Sequence, residues 1–113
     1  RCSRLTVAGA FHSEHMAPAA EGLASVLDSV DLRAPSVPVW SNVTAKPHSS
    51  EISTIRANLV AQLTSPVRWA ESCLNFPAAG TLEYHESAPV TVLRGVMRRI
   101  DRERKVTSHD EPA

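Results

Sequence analysis

Aromatic side chains are scarce in this 113-residue chain, at 4%, with two Phe, two Trp and one Tyr. So few rings leave little material for the stacking platforms on which single-stranded nucleic acids are bound. Neither sign of charge is in excess, with 12 basic and 12 acidic residues, so no overall field recommends a nucleic acid or an anionic membrane as partner. Cysteine is nearly absent. Cys2 and Cys73 stand far apart with no C-x-x-C spacing, which excludes a secreted disulfide scaffold and favours a reduced intracellular compartment. No apolar run approaches the ~18 residues of a membrane span, and the first residues lack the basic-then-apolar order of a signal peptide. The chain opens at Arg1 rather than Met, so its natural start is expected upstream, together with any targeting segment. What is present, 42% apolar residues, is enough to build the core of one domain or of part of a larger one.

Along the chain, Arg4 to Ala8 reads as a short strand ended by Gly9. Leu23, Val26, Leu27 and Val30 recur at helical spacing behind Pro18, predicting a helix from about Met16 with a buried apolar face and with Ser13 or His15 at its entry. After Arg33-Ala34-Pro35, residues Val37 to Val43 read as a buried strand with Pro38 at its start or on an edge. Ile52, Ile55, Leu59, Val60 and Leu63 mark a second helix, capped by Ser49 or Ser50. Ser65 and Pro66 signal a third running to about Asn75, with Trp69, Cys73 and Phe76 on one face. Cys73 there reads as a small apolar core side chain. Gly80 turns the chain into a strand from Thr81 to Tyr84. A last helix carries Leu93, Val96, Met97 and Ile100 on one face and Arg94, Arg98 and Arg99 on the other. Residues 101–113 are charged and aperiodic and read as a disordered tail. The order of elements predicts an α/β layered architecture, with parallel strands joined by helical crossovers.

The candidate functional residue is His12, in Gly9-Ala10-Phe11-His12-Ser13. An exposed imidazole between the end of a strand and the start of a helix is well placed for proton transfer, because rigid elements hold it while the loop leaves it accessible. The same position also suits an ordinary surface histidine, and residue type does not separate the two readings. His12 with Glu14 and His15 suggests a metal site only weakly. The i, i+3 histidines straddle a loop-to-helix boundary, whereas helical metal pairs use i, i+4 with a distant third ligand.

Context separates them. Gly9-Ala10-Phe11-His12-Ser13 with Met16-Ala17-Pro18-Ala19, then Pro38-Val39-Trp40-Ser41-Asn42-Val43, then Gln62-Leu63-Thr64-Ser65-Pro66-Val67-Arg68-Trp69, resemble successive landmarks of malonyl-CoA:acyl carrier protein transacylases. The resemblance covers about residues 4 to 100 and corresponds to the C-terminal part of those enzymes. It implies a partial α/β-hydrolase-like acyltransferase domain of three layers, residues 1–100 forming the C-terminal part of the large subdomain, the ferredoxin-like subdomain absent and the tail following. It also implies malonyl transfer from malonyl-CoA to acyl carrier protein in fatty acid biosynthesis. No cofactor is implied, malonyl-CoA being a substrate, nor any nucleic acid, membrane or metal. The full-length protein is expected to be a monomer, in a bacterial cytoplasm or in a plastid or mitochondrion. The family's histidine falls on His12, general base toward a serine in a G-H-S-x-G elbow. The backbone carbonyl that orients it falls on Gln62.

The chain departs from the pattern in three ways. It holds no G-x-S-x-G, so the nucleophile and the arginine that binds the malonyl carboxylate are expected upstream of Arg1. Where the family has E-V-G-P-G-K-V-L, this chain has Glu86-Ser87-Ala88-Pro89-Val90-Thr91-Val92-Leu93, without either glycine. Pro77 stands where the family continues a helix and is expected to end or kink it. The alternative reading is a non-catalytic, acyltransferase-derived module that binds acyl carrier protein or another partner chain. Its binding surface would be the cluster Arg94, Arg98, Arg99, Arg102, Arg104 and Lys105.

Overall fold

The structure, a computed structural model, describes residues 7–80, 83–87 and 91–109. It divides into two compact units, Arg1–Arg68 and Trp69–Ala113. In the first unit a 3-10 turn at Glu14–Met16 leads into helix α1, Ala17–Ser29, with Pro18 in its first turn where a missing N–H leaves no bond unmade. Helix α2, Ile52–Ala61, packs on α1 and buries Ile55. Arg56 ties the pair together, its Nη2 donating to the Val30 carbonyl at 2.7 Å, just past the end of α1. The apolar face of α1 is not buried as its spacing predicts. No α1 residue is fully buried, and Val26 is 58% exposed, because within this unit α2 covers only one flank of the helix.

Residues 37–43 also depart from expectation. Val37 and Val39 are exposed, and among the described residues the only strand pairing here is an antiparallel bridge from Trp40 to Pro47. The chain reverses too early for a strand. Ser41 N–H donates to the Lys46 carbonyl at 2.9 Å and His48 N–H to the Val39 carbonyl at 2.8 Å, with Ala45 buried in the turn at φ 53°. Pro38 offers no amide to a neighbouring strand. Of the predicted first strand, residues 4–6 lie outside the described residues, and Val7 and Ala8 form no strand with any of the described residues.

In the second unit helix α3, Trp69–Asn75, begins later than Ser65 and Pro66 suggest. Ahead of it, the Arg68 amide donates to the Asn42 carbonyl at 2.9 Å. Helix α3 ends before Pro77, as the missing N–H requires. Residues Phe76–Ala79 then tighten into a 3-10 turn closed by Gly80 at φ 82°, a left-handed conformation that glycine adopts without a Cβ clash. Cys73 is fully buried and its thiol is free. Burial pushes the thiol pKa up, partly opposed by the charge of Arg104 and a backbone hydrogen bond. Trp69 meets Phe76 edge-on, with ring centroids 6.4 Å apart.

Strand β1, Tyr84–Glu86, pairs in parallel with β2, Val106–Ser108, and helix α4, Val92–Ile100, lies between them in the chain. Parallel strands need such a crossover, so this is a small βαβ unit. The finding corrects two expectations. Residues 106–108 are a strand rather than part of a disordered tail, because Val106 and Thr107 are β-branched and β1 supplies a ladder for them. The predicted strand at 81–84 is centred later, at 84–86, with residues 81–82 outside the described residues. Ala88, Pro89 and Val90 also lie outside them.

Glu86 organises this unit. It is 3% exposed, and its carboxylate accepts the amides of Leu93 at 2.6 Å and Arg94 at 3.1 Å and the Ser108 hydroxyl at 3.1 Å. One side chain thus caps the start of α4 from a distance and joins it to both strands, where Thr91 in the cap position makes no side-chain bond. Desolvation raises the Glu86 pKa. The Leu93 and Arg94 amides, Ser108 and the Arg94 charge lower it further than that, leaving it below the ordinary 4.5. A depressed carboxylate pKa contributes stability above the unfolded value and loses it as pH falls through the folded one. Thermal melts from pH 7 down to about pH 3 should therefore show wild type well above Glu86→Gln at neutral pH, with the gap closing below about pH 4.5. A gap that stays constant with pH would mean the carboxylate charge is not what holds α4.

Candidate active site around His12

His12 stands in a tight turn between residues 7–10 and the 3-10 entry to α1. Its φ is 61°, one of two positive values at non-glycine residues among those described. Histidine enters this region more readily than most residues, yet the conformation still costs roughly 1–3 kcal/mol and persists only where surrounding bonds impose it. The turn projects the ring toward the end of α2. There His12 Nδ1 lies 2.7 Å from the carbonyl oxygen of Gln62, fifty residues away in the chain. A carbonyl only accepts, so the bond requires the proton on Nδ1. In the neutral ring the lone pair is then on Nε2, and His12 is exposed.

Gln62 can present its carbonyl because it caps α2, where the last carbonyls of a helix have no intrahelical donor. Its own amide is held by Asn58 at 3.1 Å, and Leu63 and Thr64 close the turn onto Val60 and Ala61. The Gln62 side chain takes no part in the contact. The segment leaving this turn is fixed by Arg68, whose Nη1 donates to the Val43 carbonyl at 3.3 Å and the Thr44 carbonyl at 3.2 Å. One guanidinium therefore links the segment after α2 to residues 43–44, both inside the first unit. Sequence reasoning had Arg68 only as a letter of a motif. Its signal was position, an arginine directly after a turn that leaves loop carbonyls exposed.

Other candidates fall differently. His15 is exposed on the 3-10 turn, and among the described residues no group of three or more His, Cys, Asp or Glu is placed to hold a metal ion. His85 and His109 stack with centroids 5.2 Å apart and Nδ1 to Nε2 at 2.9 Å, because β1 and β2 run side by side. In the arginine cluster, Arg94, Arg98, Arg99 and Arg102 are exposed. Arg104 is not available. It pairs with Asp101 at 2.9 Å, donates to the Cys73 carbonyl and lies over the Tyr84 ring at 5.9 Å.

No family model matches the chain. It is, however, 41% identical over 112 residues to the malonyl CoA-acyl carrier protein transacylase of Bacillus subtilis strain 168, across 99% of this chain and 35% of that protein. The solved malonyl CoA-acyl carrier protein transacylase of Coxiella burnetii superposes with a TM-score of 0.89 at 34% identity, over 94% of this chain and 33% of that one. The chain is homologous to the malonyl CoA-acyl carrier protein transacylases. It spans about a third of the length of the relatives it matches, and its α/β fold is similar to that third of the Coxiella burnetii protein. A transacylase solved in complex with its type II PKS acyl-carrier protein also superposes, with a TM-score of 0.85 at 32% identity over 96% of this chain and 35% of that one. No helix among the described residues is long and apolar enough to cross a membrane.

Proposed function

We propose that this chain carries the general-base part of a malonyl-CoA:acyl carrier protein transacylase site, with His12 as the base and the Gln62 carbonyl as its orienting partner. The observation that carries this reading is the 2.7 Å contact between Nδ1 and a carbonyl, in a chain homologous to those enzymes. The chemistry follows from the ring's two nitrogens. With Nδ1–H committed to Gln62, Nε2 accepts the proton of a serine hydroxyl as the serine oxygen attacks the malonyl thioester carbonyl. As the tetrahedral adduct collapses, Nε2–H protonates the departing coenzyme A sulfur and leaves a malonyl ester on serine. Nε2 then takes the proton of the carrier's phosphopantetheine thiol, which attacks the ester, and returns it to the serine oxygen. Malonyl enters and leaves as a thioester, so no redox or carrier cofactor is required by the balance of these steps.

The serine is not among these 113 residues. The test is to pair or fuse it with the G-x-S-x-G portion of the Bacillus subtilis relative and follow transfer of labelled malonyl from malonyl-CoA to acyl carrier protein. Transfer by the pair and by neither part alone supports the reading; a well-folded pair with no transfer removes it.

Exposed arginines on and just after α4 favour a second reading, in which the chain acts only as a docking module for an acidic carrier protein. Arg94, Arg98, Arg99 and Arg102 would carry such binding, without Arg104. Binding that weakens as salt rises and is lost in Arg98→Glu with Arg99→Glu supports docking, and no binding at low ionic strength excludes it.

A further inference from the structure

We infer that Ser13 is the positioning residue of this site, acting on His12 by holding the left-handed turn that aims its imidazole at Gln62. The inference rests on the reading of His12 as a general base and names what keeps that base in place. Ser13 occupies the cap position of the 3-10 turn at Glu14–Met16, with extended backbone at φ −140° and ψ 168°. A serine there ordinarily turns its hydroxyl forward to accept a backbone amide of the first turn. This one does not, and makes no side-chain cap bond. Its Oγ instead donates backward to the Ala10 carbonyl at 2.6 Å.

The geometry of that bond gives it its effect. It spans from Ala10 to Ser13 and so closes a loop around Phe11 and His12, the two residues in between. His12 sits inside that closed loop at φ 61°. Short side-chain-to-backbone bonds of this kind compete with ordinary backbone conformations and can stabilise one that would otherwise relax. On the far side, Ser13 is anchored by its own carbonyl, which accepts the Met16 amide at 3.0 Å. The serine therefore joins the turn to the start of the α1 entry, and the remaining tether on His12 is its ring bond to Gln62. Remove the hydroxyl, and His12 can return to negative φ, which swings its side chain to another direction and opens the bond to Gln62.

The prediction separates a positioning role from a merely structural one through the state of His12 itself. In the 113-residue chain, nitrogen NMR of the neutral His12 ring should show a tautomer ratio biased about fivefold toward the Nδ1–H form relative to an exposed histidine, the bias of one ordinary hydrogen bond. In Ser13→Ala that bias should fall toward the mixed population of an exposed imidazole, and the His12 amide-to-Hα coupling should shift as φ changes sign. Amide signals of α2 and of β1 and β2 should stay in place. Ser13→Thr keeps a hydroxyl and should restore the wild-type ring and coupling. If the Ser13→Ala ring is indistinguishable from wild type, or Ser13→Thr loses the bias as completely as Ser13→Ala, the inference is overturned. Should Ser13→Ala lose the dispersed spectrum of a folded chain, Ser13→Thr decides alone, retention of the bias supporting the role and loss contradicting it. A wild-type ring already without bias would instead contradict the reading of His12 before any variant is made.

Discussion

In the enzyme completed with a G-x-S-x-G serine, His12→Ala lowers kcat for malonyl transfer by about 10⁴–10⁶-fold, while Gln62→Ala changes it by less than about tenfold. The contrast follows from which atoms act. A serine hydroxyl is a weak nucleophile near neutral pH, and without a base to take its proton the attack on the thioester stalls. The rest of the site retains binding and oxyanion stabilisation, so KM for malonyl-CoA should move little and the loss should fall on kcat. Gln62 contributes a backbone carbonyl that any residue would supply, provided α2 still ends in the same place. Gln62→Pro is different. It removes the amide that donates to Asn58 at 3.1 Å and so disturbs the cap that aims the carbonyl. Steady-state kinetics of the three variants check this ordering. Equal losses in Gln62→Ala and His12→Ala would mean that the glutamine side chain, not its carbonyl, is in use.

The largest effect expected on stability is at Met97. It is 3% exposed and is the one buried residue of α4, on the face formed with Val96 and Ile100. Truncation to alanine removes the buried thioether arm and leaves space that a short helix closes only partly. The expected loss is about 2–5 kcal/mol. For a unit with few buried side chains this is comparable to its entire stability. Arg98→Ala, one residue along on the exposed face, should stay within about 0.5 kcal/mol of wild type. Urea titrations read on amide signals of β1 and β2 report this unit separately from the first. A Met97→Ala loss below about 1 kcal/mol would show that α4 is held chiefly by the Glu86 bonds and not by packing.

The helices were the legible part of the fold. Leu23, Leu27 and Val30, then Ile52, Ile55 and Leu59, then Leu93, Val96, Met97 and Ile100 recur at helical spacing over about two turns each, long enough for the period to show. Sheet structure was not, for reasons of length and partnership. Three residues at Tyr84–Glu86 and three at Val106–Ser108 display no period, and Val106 to Ser108 sits among charges that read as a tail. Residues 37–43 have strand composition but turn back on themselves at Ser41–Lys46, which composition does not encode. The proximity of His12 and Gln62 lies beyond any local pattern, since fifty residues separate them, and only the family resemblance put their numbers together. Arg68, Glu86 and Ser13 were missed for a different reason. Each acts on backbone groups through a bond of specific direction, and a serine in a cap position signals a forward bond where the structure has a backward one.

The central claim is that His12 presents Nε2 to a nucleophilic serine hydroxyl because Gln62 holds the proton on Nδ1. Its most direct test is the nitrogen NMR spectrum of the wild-type His12 ring in the neutral form. The account predicts an Nδ1–H population enriched about fivefold over that of an exposed histidine, with the Nδ1 proton coupled or close in space to Gln62. A ring with the tautomer ratio of an exposed histidine would contradict it.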